Sequence, residues 1–452
     1  MEDKTQQMSG FPDPLSGATQ RMNVPPVFGG DPMAQPTAMG MSVRALEMEV
    51  IMGNQFADAS RNSRLHQLVL LKSSGAAIAR RMPLNICLAI DRSGSMEGEP
   101  LEYAKRACEY VVDLLDTNDI LSIVTFEEHV DVIMPARRVV NKNLIKQHIQ
   151  RITPGNTTNL YDGLMQACMQ VASVNATGYV NRVLILTDGE PTIGIKDFNS
   201  IVQHAADNKM RGITVTALGF GSEYNEELMA GIARRGSGNY YYISQPALIP
   251  EIFRKELETL MTITARNIRV RFSFPRGVQC RYVYGIAAPS ITARGAEFVL
   301  PDIERGCVIA NLSELELDRH IPGTYRVVKV EVSYEDTCTG KTEILTGEGV
   351  VEFVTDPIRI QQGVNPMVQS ELDVHLATRN LEKTMMGMRT QQLTAMGALS
   401  DLQRTRNILL QSGKLDQAQE VTQAIDALQS GGDAEKTLIG TIYSLDKGKR
   451  KA

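Results

Sequence analysis

The sequence predicts an α/β fold: a doubly wound, mostly parallel sheet, flanked by an antiparallel β-sandwich and a C-terminal helical hairpin. Three observations carry this. Between about residues 84 and 253 short all-apolar runs alternate with stretches of helical period, past Ile263 the period drops to two, and from about Val368 it returns to helical. A chain of 452 residues exceeds what one compact core organises, so these regions are expected to be separate units.

Taken in order, residues 1–40 are rich in Pro, Gly, Gln and Met, without apolar periodicity, and read as a disordered arm. Within 41–80, Leu46, Met48, Val50 and Met52 alternate, and His66 to Lys72 forms a second strand-like run. A two-stranded ribbon is marginal alone, so this hairpin is expected to join a later sheet. Residues 81–255 hold the α/β unit. Its strands are Leu84 to Ile90, Ile120 to Phe126, Val183 to Leu186 and Ile213 to Leu218; its helices are Pro100 to Leu115, Leu160 to Val174, Phe198 to Lys209 and Glu226 to Arg234. Strands apolar on both faces and separated by helices imply a parallel sheet between helical layers.

Residues 262–358 alternate as in Ile268, Val270, Phe272, Phe274 and again in Val328, Val330, Val332, Tyr334, which predicts a sandwich that the hairpin completes and the α/β unit interrupts. Residues 365–446 carry Leu393, Met396, Leu399, Leu402 on one helix and Leu415, Ala418, Val421, Ile425, Leu428 on a second, with Gly413 placed to end the first. Residues 447–452, with Lys447, Lys449, Arg450 and Lys451, read as a frayed, solvated basic tail.

Composition excludes several functions. The 43% apolar and 22% charged content is that of a globular protein. A net charge of −5 supplies no positive field for nucleic acid or an anionic membrane. Apolar runs fall far short of the roughly 20 residues that span a bilayer, and no secretory signal pattern opens the chain. A cytoplasmic location is expected. Six scattered cysteines without CxxC spacing suggest neither a disulfide framework nor a zinc site.

In open parallel sheets ligands bind beyond the carboxyl ends of the strands, where strand order reverses. The first strand is followed by Asp91-Arg92-Ser93-Gly94-Ser95 and the third by Thr187-Asp188-Gly189, while Gly155-Asn156-Thr157-Thr158-Asn159 precedes a helix. Residues at i, i+2 and i+4 of an extended loop point one way, so Asp91, Ser93 and Ser95 can converge, with Thr158 and Asp188 adding oxygens from neighbouring loops. Hydroxyls and carboxylates are hard donors that suit Mg²⁺, Mn²⁺ or Ca²⁺. Two carboxylates balance the ion's charge but leave its coordination short of a strong ligand, which an outside carboxylate would supply. Arg92 and Asn159 are weaker ligand-binding candidates; Arg92 could clamp an anion, although a solvated side chain is the commoner fate.

These residues resemble the von Willebrand factor type A (VWA) family, a Rossmann-like fold with a metal-ion-dependent adhesion site (MIDAS). The family's DxSxS stands as Asp91, Ser93 and Ser95, its threonine as Thr158 and its strand-end aspartate as Asp188. Gly219-Phe220-Gly221 resembles the usual exit toward the last helix. The resemblance covers about residues 84 to 253; the flanking regions resemble prokaryotic intracellular members only loosely. It implies a divalent-cation-dependent protein interaction module, with hydroxyls on the ion and a partner presenting Asp or Glu. One alternative is an adaptor subunit of an AAA-type ATPase, as in chelatase-like systems. Another is a metal-dependent phosphoester enzyme, which the absence of a GxxxxGK[ST] loop, of HExxH and of a nucleophile–base pair disfavours. No catalytic residue is assigned, and the oligomeric state is not legible.

Overall fold

The computed structural model describes residues 44–73, 81–174, 178–221, 224–286, 289–430 and 434–451. The arm expected over 1–40 lies outside them.

The N-terminal strands are β1 (Leu46–Met52), β2 (Phe56–Asp58) and β3 (Ser63–Ser73). The α/β unit follows as β4 (Leu84–Asp91), α1 (Glu99–Leu114), β5 (Ile120–Phe126), β6 (Val130–Arg138), α2 (Lys142–Gln150), α3 (Leu160–Ser173), β7 (Val180–Thr187), α4 (Phe198–Met210), β8 (Thr214–Phe220), α5 (Glu226–Arg235), β9 (Ser237–Ile243) and α6 (Ile249–Met261). Its sheet order is β6-β5-β4-β7-β8-β9, parallel throughout except for the antiparallel edge pair β5–β6. Every residue of β4, β5 and β8 is buried, because α1 and α6 cover one face and α3, α4 and α5 the other. Chain order reverses on the two sides of β4, so the crevice opens where β4 and β7 end.

β6, β9, α2 and α6 were not among the sequence expectations. The first two are edge strands with mixed burial, which removes the apolar run that marks a central strand.

The sandwich strands are β10 (Ile263–Ser273), β11 (Val278–Val283), β12 (Ser290–Thr292), β13 (Gly295–Val299), β14 (Ile303–Glu304), β15 (Cys307–Leu317), β16 (Gly323–Asp336) and β17 (Thr342–Val354). One sheet runs β1-β3-β15-β11 and the other β12-β13-β10-β16-β17-β2. The long register of β3 on β15, Ser63 against Leu317 through Lys72 against Val308, seats the N-terminal hairpin in the sandwich. The turn between β1 and β3 crosses to the second sheet, where β2 lies parallel to β17. Val69, Leu71, Val270, Phe272, Val330 and Tyr334 meet between the sheets.

The C-terminal region exceeds the expected two-helix hairpin: α7 (Pro357–Gln362), α8 (Pro366–Arg389), α9 (Ala395–Gln411), α10 (Leu415–Gln429) and α11 (Glu435–Asp446). α11 hides from periodicity because it is buried on two sides. Leu438, Ile442 and Leu445 enter the bundle core, while Ile439 and Tyr443 enter the core of the α/β unit.

The frayed basic tail is also corrected. Lys449–Lys451 form β18, antiparallel to β15. Lys449 pairs with the buried Glu304 and Arg450 with the buried Glu371, so the charges that suggested a solvated tail neutralise buried acids. Among the described residues no helix is long and apolar enough to cross a membrane.

Candidate metal centre

Asp91 is the last residue of β4, and its carboxylate is fully buried. One oxygen accepts the Ser93 amide at 2.8 Å, which turns the chain sharply and starts a short 3₁₀ turn over Gly94–Met96. The other accepts the Thr187 hydroxyl from the end of β7. Ser93 Oγ lies 3.2 Å from Ser95 Oγ, and Ser95 Oγ donates to Asp188 Oδ1 at 2.7 Å. The loop after β4 is thereby joined to the loop after β7 through side-chain oxygens alone.

The third loop is held by its backbone. Gly94 N–H donates to Asn156 O at 3.2 Å and Gly155 N–H to Arg92 O at 2.6 Å. Thr158 N–H donates to Thr192 Oγ1 at 2.8 Å, and Thr192 N–H returns a bond to Thr158 O at 3.0 Å. Thr158 Oγ1 and Ser95 Oγ would lie 3.5 and 3.8 Å from a β-carbon placed on Gly189. Both hydroxyls thus flank the Gly189 backbone beside Asp188.

Ser93, Thr158 and Asp188 are buried and Ser95 is exposed. The cluster of oxygen-bearing residues thus reaches the surface at Ser95.

The donor chemistry fits a hard divalent cation. Among the described residues no three of His, Cys, Asp or Glu gather to hold a metal, and this cluster instead combines two carboxylates with three hydroxyls. Burial pushes the Asp91 carboxyl up to about 7, with Asp188 adding to the rise, against the downward pull of the Thr187 and Ser93 hydrogen bonds. No Lys or Arg among the described residues forms an ion pair with Asp91. A buried carboxylate without a cationic partner is costly, and a bound cation would remove that cost.

Two weaker candidates have other work. Arg92 is neither solvated nor free to clamp a ligand: its guanidinium bonds Glu127 at 3.2 Å and Asp131 at 2.9 Å. Asn159 caps α3, accepting the Asp162 amide at 3.4 Å and donating to the Asp162 carboxylate at 2.8 Å. Sequence reasoning missed Thr187, Thr192 and Glu127. Thr187 adjoins Asp188 in the strand-end motif, which was a usable signal; the other two act only through tertiary contacts.

Residues 85–255 match the family described as "von Willebrand factor type A domain", and with the fold above they form a VWA domain. An uncharacterised protein of Synechocystis sp. is 27% identical over 342 residues, covering 73% of this chain and 78% of its own length. The chain spans a third or less of the next curated relatives it matches.

Two solved structures share the fold across nearly the whole chain. A von Willebrand factor type A protein from Catenulispora acidiphila superposes with a TM-score of 0.70 at 18% identity, covering 84% of this chain and 90% of its own. The ArnB paralog VWA2 from Sulfolobus acidocaldarius superposes with a TM-score of 0.65 at 16% identity, covering 89% and 98%. In both cases the similarity extends well beyond residues 85–255.

Proposed function

We propose that Asp91, Ser93, Ser95, Thr158 and Asp188 form a MIDAS that holds one divalent cation, Mg²⁺, Mn²⁺ or Ca²⁺, through which the chain grips an Asp or Glu of a protein partner. The observation that carries this is the chain of oxygens from Ser93 through Ser95 to Asp188, which joins the ends of β4 and β7 where the strand order reverses. When bound, the cation supplies an electrophilic centre for an incoming carboxylate.

The chain's own residues organise that encounter. Asp91 supplies buried negative charge, with both oxygens already oriented by Ser93 and Thr187. Ser93, Ser95 and Thr158 present neutral oxygens, which add no further negative charge and would leave the ion short of a strong ligand for the partner to supply. The Arg92–Glu127 pair and the Thr158–Thr192 bonds hold the loops in place.

A binding role suits these loops better than catalysis. Residues 91–95, 155–159 and 187–190 contain no His or Lys, and the one Arg is committed to acids, so the side chain most often used as a general acid is missing from these loops. The exposed thiol of Cys338 fits a reducing compartment, and we place the chain in the cytoplasm.

Titration calorimetry with Mg²⁺ tests the ion site. Asp188→Ala is expected to weaken binding at least about tenfold with an unchanged far-UV spectrum, and unaltered affinity would remove the assignment. Capture from lysate with and without EDTA then tests the grip. EDTA-sensitive retention of an AAA-type ATPase would make the chain an adaptor of that machine, and EDTA-sensitive retention of another protein an interaction module. Turnover of a phosphoester without capture would replace both with the enzyme reading.

A further inference from the structure

Far from the VWA crevice, a cleft opens where the sandwich, the VWA domain and the helical bundle meet. Its outer chamber has a volume of about 210 Å³ and its inner chamber about 90 Å³; the two share Arg234, Tyr284, Gly285, Ile286 and Asp446. Gly285 adopts φ +70°, and a β-carbon there would sit 2.3 Å from the Asp446 carbonyl oxygen. Only glycine lets the chain after β11 pass this close to the end of α11.

Two polar side chains line these chambers. His375, on α8, is 7% exposed and lines the outer chamber, its ring 5.0 Å from that of Tyr284. Asn311, on β15, is 4% exposed and lines the inner chamber. Its Nδ2 donates to Tyr284 O at 3.5 Å, while its Oδ1 is buried and unpartnered. Buried polar atoms are normally satisfied, and the unpartnered amide oxygen of Asn311 in this cleft points to a polar occupant.

The charges around the outer chamber define that occupant. Arg234 and Asp446 are paired at 2.8 Å and cancel. Arg379 and Glu382, three residues apart on α8, both line the chamber, yet neither forms an ion pair with the other or with any other described side chain. Arg379 instead lies over the Tyr282 ring, 5.9 Å from its centroid. A simple anion drawn to Arg379 would meet the charge of Glu382, and a simple cation the reverse. A small molecule carrying both charges satisfies the two together, with His375 and Asn311 available to its remaining polar atoms. Burial pushes the His375 ring down to about 4, so at neutral pH it is uncharged and can accept a hydrogen bond as well as donate one.

We propose that this cleft binds a free α-amino acid, its carboxylate on Arg379 and its ammonium group on Glu382. The site stands apart from the metal centre and depends on none of its residues.

The test uses the full-length chain, with the standard L-amino acids as probes in thermal-shift assays and then calorimetry, alongside acetate and methylammonium. At least one amino acid is expected to raise the melting temperature saturably and bind with a Kd below about 1 mM, with neither single-charge probe doing so. Arg379→Ala and Glu382→Gln change exposed side chains, so both variants should fold; each is expected to weaken binding at least about tenfold. Asp188→Ala should leave it unchanged. The proposal is overturned if no amino acid binds below about 1 mM, if acetate or methylammonium binds as well as the best amino acid, or if either cleft variant binds like the unmodified chain.

Discussion

Thr187 shows how one hydroxyl can orient a carboxylate of the proposed metal site. It closes β7, and its hydrogen bond to Asp91 is one of two that fix the buried carboxylate. Thr187→Val keeps the β-branched shape and removes only the donor. An uncompensated buried acceptor costs on the order of 1–3 kcal/mol, and the freed Asp91 should turn from its site-ready orientation. Mg²⁺ affinity by calorimetry is expected to fall about tenfold, with far-UV and thermal signatures of a folded protein retained. Undiminished affinity would show that Asp91 is oriented by Ser93 alone.

The sequence made Asp91, Ser93 and Ser95 legible because alternate residues of an extended loop share a side, and Asp188 because it ends an apolar strand. Arg92 was misread for a physical reason: its partners, Glu127 and Asp131, lie 35 and 39 residues away, and nothing local announces them.

Among the elements, central strands declared themselves through burial on both faces, whereas α11 and β18 did not. α11 serves two cores, so it lacks a single apolar stripe, and the basic residues of β18 mimic a solvated tail until their buried acidic partners are known. α8 carries a consequence for acid stability.

His375 is packed against Tyr284, with His66 on β3 and Lys414 before α10 close enough to oppose its protonation. Its pKa falls from 6.5 to about 4, burial being the larger cause. Between those values the unfolded chain binds the proton and the folded one does not, so stability is complete above about 6.5 and is lost as pH falls toward 4. The full loss is on the order of 3 kcal/mol. His375→Gln should flatten the pH dependence of urea-unfolding stability over this window. A slope equal to that of the unmodified chain would assign the acid sensitivity to other groups.

At the scale of the whole molecule, the VWA domain is inserted between β3 and β10 of the sandwich, but two chain crossings are not its only attachment. Arg182 and Lys209 approach Asp302 of the sandwich at 3.5 and 3.8 Å, and Arg234 pairs with Asp446 at the end of α11. The strongest tie is Tyr443. Its hydroxyl donates to Gly238 O at 2.5 Å, and its ring meets Tyr240 edge-on at 5.9 Å, inside the VWA core. On the same helix, Leu438, Ile442 and Leu445 are buried in the bundle, so α11 cannot leave one core without disturbing the other.

Two substitutions separate the bond from the packing. Tyr443→Phe removes only the hydroxyl and should cost about 1 kcal/mol. Tyr443→Ala empties a ring-sized volume in the VWA core and should cost about 3–5 kcal/mol. Because α11 is buried in both cores, calorimetry of the alanine variant should show one transition moved to lower temperature. If the VWA domain instead melts separately from the sandwich and bundle, α11 is a passive neighbour, and the three units are linked only by the chain that runs through them.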